Sequence, residues 1–280
     1  ISCNNFLAKA FGFDRGFRVF CELFRTYLFH DVKPLPYGLS LKQKLAFLLR
    51  EKSVARFASE AFKRLLRKAH RTLFPSEFED ATPFSKRAFA KAKRVIADLP
   101  RDKSLFLFIN IIQSHEKYNP PRVARAALGL QNGLRYPPLK PAHYYYVGET
   151  LTHEQAEVLS DLYDAELWFA DYLVGDFYLF CKESGIMDDT VFIVTSDHGE
   201  LLGEHGGLVG HGHVLYDEVC RVPLIVRYPT GTVSRGIDEK IVSLTDIYAT
   251  LLDVCNLPYP VPWSSQSLLA SSARQAAIAE

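Results

Sequence analysis

Residues 190–227 read TVFIVTSDHGELLGEHGGLVGHGHVLYDEVCRVPLIVR, and the other predicted elements can be placed relative to them. An apolar run over residues 191–194 ends just before Asp197 and His198, and a second apolar run over residues 222–226 closes the stretch. A buried strand that delivers polar side chains at its C-terminal end is typical of open α/β sheets, which bind ligands at that edge. Because an Asp oxygen and a His nitrogen both ligate divalent metals, the pair predicts a metal site there.

The segment before this stretch predicts a long helix over residues 152–184. Thr152 and Gln155 have the spacing of a capping box, and Gly185 is a typical residue just beyond a helix end. Apolar residues recur at helical spacing on one face. The acidic residues assigned to the other faces are Asp161, Asp164, Glu166 and Asp171. A helix followed by the 191–194 strand is the crossover connection that a parallel sheet requires.

A second buried strand is predicted upstream, at Leu105–Ile112. Its continuous apolar run is typical of a strand that is covered on both faces. His115 follows the run, so we expect it at the same sheet edge as Asp197. The fold class predicted is therefore α/β, with a mostly parallel sheet flanked by helices on both faces.

Charge is distributed unevenly along the chain. Residues 33–103 hold 18 Lys and Arg against 7 Asp and Glu, whereas the remaining residues hold 15 and 25. Two helices are predicted in the basic region, at 40–74 and at Pro83–Leu99. They would either contact an anionic polymer or anionic membrane surface, or present an ordinary solvated face. The region lacks the interleaved aromatic residues of a nucleic-acid binder, so no nucleic-acid partner is predicted.

Composition bounds the class of protein. With 280 residues and 48% hydrophobic content, the chain can bury the core of one large α/β domain or most of one. Five irregularly spaced cysteines without a CxxC pair predict reduced thiols. No apolar run approaches the roughly 20 residues that span a bilayer, so no transmembrane segment is predicted, and localisation stays open.

Several motifs together resemble the sulfatase family of the alkaline-phosphatase-like superfamily. The strongest are SDHGELLGEHG, GHGHVLYDE and RVPLIVRYP, and weaker matches are FGFDRGF, LYDAELWFAD and VSLTDIYATLLDV. The resemblance implies that residues 1–280 form a partial sulfatase catalytic domain, with residues 40–99 as a basic helical insertion within it.

The resemblance also implies roles for individual residues. Asp197 and His198 would be metal ligands. His115 and His211 would be the catalytic residues and would bind substrate, and which of them is the general acid stays open. His213 would add to substrate binding. The residues expected to orient these histidines or their loop are Glu200, Glu204 and Asp217, with His205 as a second choice for the site.

The cofactors implied are one divalent metal ion and a formylglycine. Calcium is the family's usual ion, but it prefers oxygen ligands, so the nitrogen of His198 also admits manganese or zinc. The chain contains no C/S-x-P-x-R motif in which a formylglycine would form. We therefore expect that motif upstream of Ile1, in which case this chain is an N-terminally truncated fragment and is inactive alone.

The function implied is a sulfuric ester hydrolase that acts on a small-molecule or glycan sulfate ester. Two other kinds of function stay open. One is a phosphoesterase, phosphonate hydrolase or phosphoglycerol transferase of the same superfamily. The other is a non-catalytic pseudoenzyme that binds an anionic polymer through residues 40–99.

Overall fold

The computed structural model places most of the chain beyond residue 82. The residues it describes are 83–100, 102–115, 117–131, 133–137, 151–212, 214–233, 235–258, 264–272 and 274–277, with Phe17, Cys21 and Leu139. The helix predicted over residues 40–74 lies outside them. The chain divides into two compact units, the first formed by residues 1–137 and 157–178 and the second by residues 138–156 and 179–280.

Three helices occupy the first half of the described residues. They are α1 (Pro83–Ala97), α2 (Arg122–Ala127) and α3 (His153–Glu183). The helix predicted from Pro83 is confirmed. In α3 the predicted capping box is also confirmed: the Gln155 amide donates to Thr152 Oγ1 at 3.1 Å, and the Thr152 amide donates to Gln155 Oε1 at 2.9 Å. Gly185, with φ 71°, adopts the left-handed conformation that ends helices.

The core of the first unit lies between α1 and α3. The rings of Phe89 and Phe177 are 5.3 Å apart, and Lys93 pairs with Asp176 at 2.7 Å on the exposed side. The buried side chains of α3 include Leu159, Leu162, Ala165, Phe169, Leu173 and Phe177. These contacts bury the apolar face of each helix, which is the main source of helix stability in a folded protein.

The assignment of Glu166 to a face of α3 other than its buried apolar face is wrong. Glu166 is only 6% exposed, whereas the neighbouring apolar residue Leu167 is 42% exposed. Glu166 follows Leu162 by four residues and precedes Phe169 by three, so it falls on the same helical face as these buried side chains. The helix was predicted correctly, but its buried face is rotated about the helix axis relative to the predicted apolar face.

The buried strand predicted over Leu105–Ile112 is also wrong. The described residues there contain a single bridge residue, Asn110, and no extended ladder. Four of the apolar side chains are exposed, and Phe106 is 63% exposed. An apolar run reports the preference of its own side chains, whereas a buried strand also needs paired neighbours and a layer over each face.

The second unit holds the remaining elements. They are a 3₁₀ turn (Met187–Asp189), β1 (Phe192–Thr195), β2 (Leu201–Leu202), α4 (Glu204–Gly207), β3 (Val209–Gly210), α5 (Asp217–Cys220), β4 (Leu224–Arg227) and α6 (Asp246–Val254). Strands β1 and β4 correspond to the two predicted apolar runs. They pair antiparallel, with Phe192 opposite Arg227 and Thr195 opposite Leu224, and β2 pairs antiparallel with β3.

The described sheets thus have two strands each, and the predicted parallel sheet stays a prediction. Among the described residues, no helix combines the length and apolar character that crossing a membrane requires. The four cysteines within the described part of the chain form no disulfide; they are Cys21, Cys181, Cys220 and Cys255.

The carboxylate of Asp246 stabilises the start of α6. It accepts hydrogen bonds from the backbone amides of Ser243 and Gln266, each at 2.8 Å, and it pairs with Arg274. The Asp246 side chain is 3% exposed and that of Arg274 is 16% exposed, so this is a buried ion pair with additional hydrogen bonds.

Candidate active site

The loop that follows β1 fixes the orientation of the His198 imidazole. His198 Nδ1 lies 2.9 Å from the Gly199 carbonyl oxygen. Because a carbonyl oxygen only accepts, Nδ1 carries the hydrogen, and Nε2 is the nitrogen that can coordinate an ion when the ring is neutral. Nε2 lies 3.8 Å from Oδ1 of Asp197, whose side chain is 70% exposed.

Glu200 brings His198 and His211 together. The Glu200 side chain is 4% exposed, His211 Nδ1 hydrogen-bonds to its Oε1, and His198 Nδ1 lies 3.9 Å from the same oxygen. The two imidazole rings are stacked. One donor atom from each of these three residues lies within 4.8 Å of the others. We call this group the His198–Glu200–His211 cluster.

Local pairing explains how the chain assembles this cluster. Leu201 of β2 pairs with Gly210 of β3, so the residues just outside that pair, Glu200 and His211, face each other across the hairpin. The small core below the hairpin consists of Leu201, Leu208 and Val219, with Val214 packed against it.

Gly199 anchors the loop between β1 and this hairpin. Its amide donates to the Val219 carbonyl oxygen at 2.8 Å. A Cβ at position 199 would lie well inside van der Waals contact with the Glu218 carbonyl oxygen, so the backbones approach too closely for any other residue. The glycine of the DHG motif is therefore required by packing.

The other predicted residues of the loop lie outside the cluster. His205 Nε2 lies 3.0 Å from Glu218 Oε2, and the His205 ring stacks on Tyr216 with centroids 3.6 Å apart. Glu204 accepts the Leu202 amide at 2.6 Å. These are contacts that hold the loop together. His213 lies outside the described residues.

His115 belongs to the first unit. It is half-buried, and its amide donates to the Ile112 carbonyl oxygen at 3.4 Å. The other predicted site residues, Asp197, His198 and His211, belong to the second unit. That His115 shares a site with them stays a prediction.

The residues present fit a divalent metal ion. Two ligands that are each about 2.1 Å from an ion can be no more than about 4.2 Å apart, and the 3.8 Å between Asp197 Oδ1 and His198 Nε2 meets this limit. His198 Nδ1 bonds a backbone carbonyl, which is the usual outer contact of a ligating histidine. The mixed nitrogen and oxygen donors suit manganese or zinc better than calcium.

Two buried carboxylates matter more than sequence reasoning indicated. Glu200 was expected to orient histidines in general, and the structure shows its direct contact with His211. Glu166 was assigned to a face of α3 other than the apolar one. The signal that could have found it is its spacing from Leu162 and Phe169 in the helical repeat.

Comparisons with known proteins identify the family. The sequence profile of the family described as Sulfatase matches residues 31–257. Arylsulfatase K of Bos taurus is 34% identical over 121 residues, which are 43% of this chain and 22% of that protein. N-acetylglucosamine-6-O-sulfatase of Bacteroides thetaiotaomicron is 31% identical over 106 residues, which are 38% of this chain and 19% of that protein. The chain thus spans about a fifth of the length of these curated relatives.

Solved structures support the fold. The phosphonate monoester hydrolase of Agrobacterium radiobacter superposes with a TM-score of 0.58 at 22% identity, covering 71% of this chain and 45% of that one. A protein solved with its substrate D-glucosamine-2-N,6-O-disulfate gives a TM-score of 0.51 at 19% identity, covering 69% of this chain and 54% of that one. Identities this low indicate a shared fold and no more. Because the family profile matches more than half of its residues, this chain belongs to the sulfatase family.

Proposed function

We propose that this protein is a metal-dependent sulfuric ester hydrolase. The observation that carries the proposal is the His198–Glu200–His211 cluster beside Asp197, in a chain that belongs to the sulfatase family. The cluster brings metal-competent donors and an oriented histidine into one loop region of the second unit.

Asp197 and His198 are the proposed metal ligands, through Oδ1 and Nε2. A bound divalent ion would neutralise the non-bridging oxygens of the sulfate group. The contact from His198 Nδ1 to the Gly199 carbonyl oxygen keeps Nε2 directed away from the backbone. Calcium is the usual ion of the family that the chain resembles. The nitrogen ligand of His198 favours manganese or zinc instead.

His211 is the proposed proton donor or oxygen-binding group for the ester. Glu200 holds its Nδ1, so Nε2 is the atom that protonates the leaving-group oxygen or binds a sulfuryl oxygen. His115 is the other proposed catalytic and substrate-binding residue, and His213 is proposed to contact substrate. Which of His115 and His211 is the general acid stays open.

The proposed nucleophile is a formylglycine, in keeping with the family resemblance. The proposed substrate is a small-molecule or glycan sulfate ester, because relatives of this chain are named arylsulfatase K and N-acetylglucosamine-6-O-sulfatase. We also propose the mostly parallel sheet of the fold class, a single partial catalytic domain over residues 1–280, and contact with an anionic polymer through residues 40–99.

The test is a hydrolysis assay of the full-length protein with matched aryl sulfate, aryl phosphate and aryl phosphonate esters. Sulfate should be the preferred ester. Chelation should abolish turnover, and separate additions of calcium, manganese and zinc should identify the ion. Asp197→Ala should lower kcat/KM at least about 100-fold. The control is Asp189→Ala, which removes an exposed carboxylate of the 3₁₀ turn and should leave activity unchanged.

Two results would count against the proposal. Preference for the phosphonate or phosphate ester would favour a phosphoryl-transfer member of the superfamily. Full activity in Asp197→Ala would contradict the metal site.

A further inference from the structure

One buried carboxylate, that of Glu166 on α3, bonds both ends of the loop that carries His115. Glu166 Oε1 accepts the backbone amide of Asn119 at 2.9 Å, on the C-terminal side of the loop. On the N-terminal side, Gln113 Nε2 donates to Glu166 Oε2 at 3.5 Å. We call residues 113–119 the His115 loop. Two points that flank His115 are thus tied to a single helical side chain.

The contact continues from Gln113 to α1. The Ser85 hydroxyl donates to Gln113 Oε1, so Gln113 is held by a donor on one helix and an acceptor on another. Ser85 is 1%, Glu166 6% and Gln113 9% exposed. Buried polar groups are stable only with their hydrogen bonds made, so this chain of contacts has little freedom to rearrange.

Opposing effects act on the pKa of the Glu166 carboxyl. Burial raises the pKa of Glu166, whereas the hydrogen bonds from Asn119 and Gln113 and the charge of Arg125 act to lower it. Arg125 also binds the loop end directly, donating to the Pro120 carbonyl oxygen at 2.9 Å and to Asn119 Oδ1 at 3.4 Å. The Glu166 carboxyl, which is the central acceptor of the network, therefore interacts with the positive charge of Arg125.

The remaining contacts limit the conformations of the loop itself. Ser114 has φ 64°, and its hydroxyl donates to the Gln113 carbonyl oxygen at 2.6 Å. Tyr118 is 1% exposed, and its ring lies 5.4 Å from the rings of both Tyr136 and Tyr163. Every residue in this network belongs to the first unit. His115 is half-buried between these fixed points.

We propose that Glu166 is a positioning residue, which fixes the His115 loop by bonding Gln113 and Asn119 and so holds the His115 imidazole in one orientation. The catalytic part of this inference rests on the proposed function, in which His115 acts on the sulfate ester. A side chain that served packing alone would not need a carboxylate aimed at two loop donors on either side of a histidine.

The first measurement is hydrogen–deuterium exchange of the full-length protein, which needs no turnover. Glu166→Ala should speed exchange across residues 113–119, with the largest change at the Asn119 amide. Glu166→Gln preserves volume and one acceptor for Asn119, so it should give an intermediate change and covers the case in which Glu166→Ala does not fold. Asp161→Ala is the matched control, because it removes an exposed carboxylate from the same helix.

The second measurement is steady-state kinetics on the aryl sulfate ester. Glu166→Ala should lower kcat about 10- to 100-fold with little change in KM, because it misplaces a catalytic group without removing substrate contacts. If Glu166 acts through His115, the double variant Glu166→Ala/His115→Ala should be no slower than His115→Ala alone.

Unchanged hydrogen–deuterium exchange in the His115 loop of both Glu166 variants would overturn the inference. So would a double variant in which the kcat losses of Glu166→Ala and His115→Ala multiply. A wild-type protein that hydrolyses no sulfate ester, or a fully active His115→Ala, would instead contradict the proposed function. The exchange measurement would still decide whether Glu166 fixes the loop.

Discussion

The imidazole rings of His198 and His211 stack with centroids 3.7 Å apart and planes inclined by 23°, although the β2–β3 hairpin separates them in the chain. Both rings direct Nδ1 towards the same side, where the Glu200 carboxylate and the Gly199 carbonyl oxygen lie. The stack therefore fixes both rings relative to each other before any ligand binds, which is the preorganisation that metal and oxyanion sites require.

Removal of the Glu200 carboxylate should weaken metal binding. Glu200→Gln keeps one acceptor oxygen but removes the negative charge that His211 contacts and that lies beside His198, and outer contacts of this kind are worth about 10- to 100-fold in metal affinity. Calorimetric titration with manganese or zinc measures the change. Glu218→Gln is the control, because Glu218 binds His205 outside the cluster. Equal affinity in the wild type and Glu200→Gln would show that Glu200 does not support the site.

Gly199→Ala should disrupt the site and lower stability by roughly 1–3 kcal/mol. The added Cβ meets a backbone carbonyl, which cannot move aside as a side-chain end can. Gly175→Ala is the matched control: nothing lies within 4 Å of its added Cβ, and alanine in α3 should stabilise the helix by up to about 1 kcal/mol. Urea unfolding of both variants tests the pair, and a Gly199→Ala protein of wild-type stability would show that the loop is adaptable.

The stability of the wild type relative to Glu166→Gln should fall as pH rises. Because burial raises the pKa of Glu166, the native state holds this proton more tightly than the unfolded state does. The resulting stabilisation is complete below the ordinary pKa of a glutamate and is lost as pH rises through the raised value, by at most about 1.4 kcal/mol per pH unit.

Glutamine does not titrate, so urea unfolding of both proteins across this range isolates the effect of the Glu166 carboxyl. The opposite slope would mean that the Asn119 hydrogen bond and the charge of Arg125 outweigh burial.

Loss of the capping box should destabilise α3. Thr152→Ala leaves the Gln155 amide without its hydroxyl acceptor, and the expected loss is about 1 kcal/mol in the free energy of unfolding. Ser160→Ala, at an exposed interior position of the same helix, should be neutral or slightly stabilising. Thermal unfolding of the two variants gives the comparison, and equal midpoints would argue against a contribution from the cap.

The parts of the fold that were predicted correctly are encoded by neighbouring residues. The capping box needs only Thr152 and Gln155, and the helix end needs only Gly185, so a short stretch contains the whole signal. The two apolar runs gave β1 and β4 for the same reason. Their antiparallel pairing was not foreseen, because a strand's partner depends on the path of the chain between them.

The predictions that failed depend on contacts distant in sequence. Leu105–Ile112 has the composition of a buried strand, but burial is decided by what packs against it. Glu166 was not predicted to be buried, because it carries a charge. Its burial is made possible by hydrogen bonds from Gln113 and Asn119. Asp197, His198 and His211 were recognisable as candidate site residues from their motifs. The contact between Glu200 and His211 follows from the β2–β3 register, which the motifs do not state.

The bonds of Asp246 set a practical limit on how this protein can be shortened. The family match ends at residue 257, yet the Asp246 carboxylate depends on the Gln266 amide and on the Arg274 guanidinium. A protein truncated just after the family match would keep the buried Asp246 carboxylate but lose the Arg274 guanidinium. Removal of one partner from a buried ion pair lowers the free energy of unfolding by about 3–5 kcal/mol. The C-terminal boundary for expressing or fusing the second unit therefore lies beyond Arg274, and the end of the sequence match is a poor guide to it.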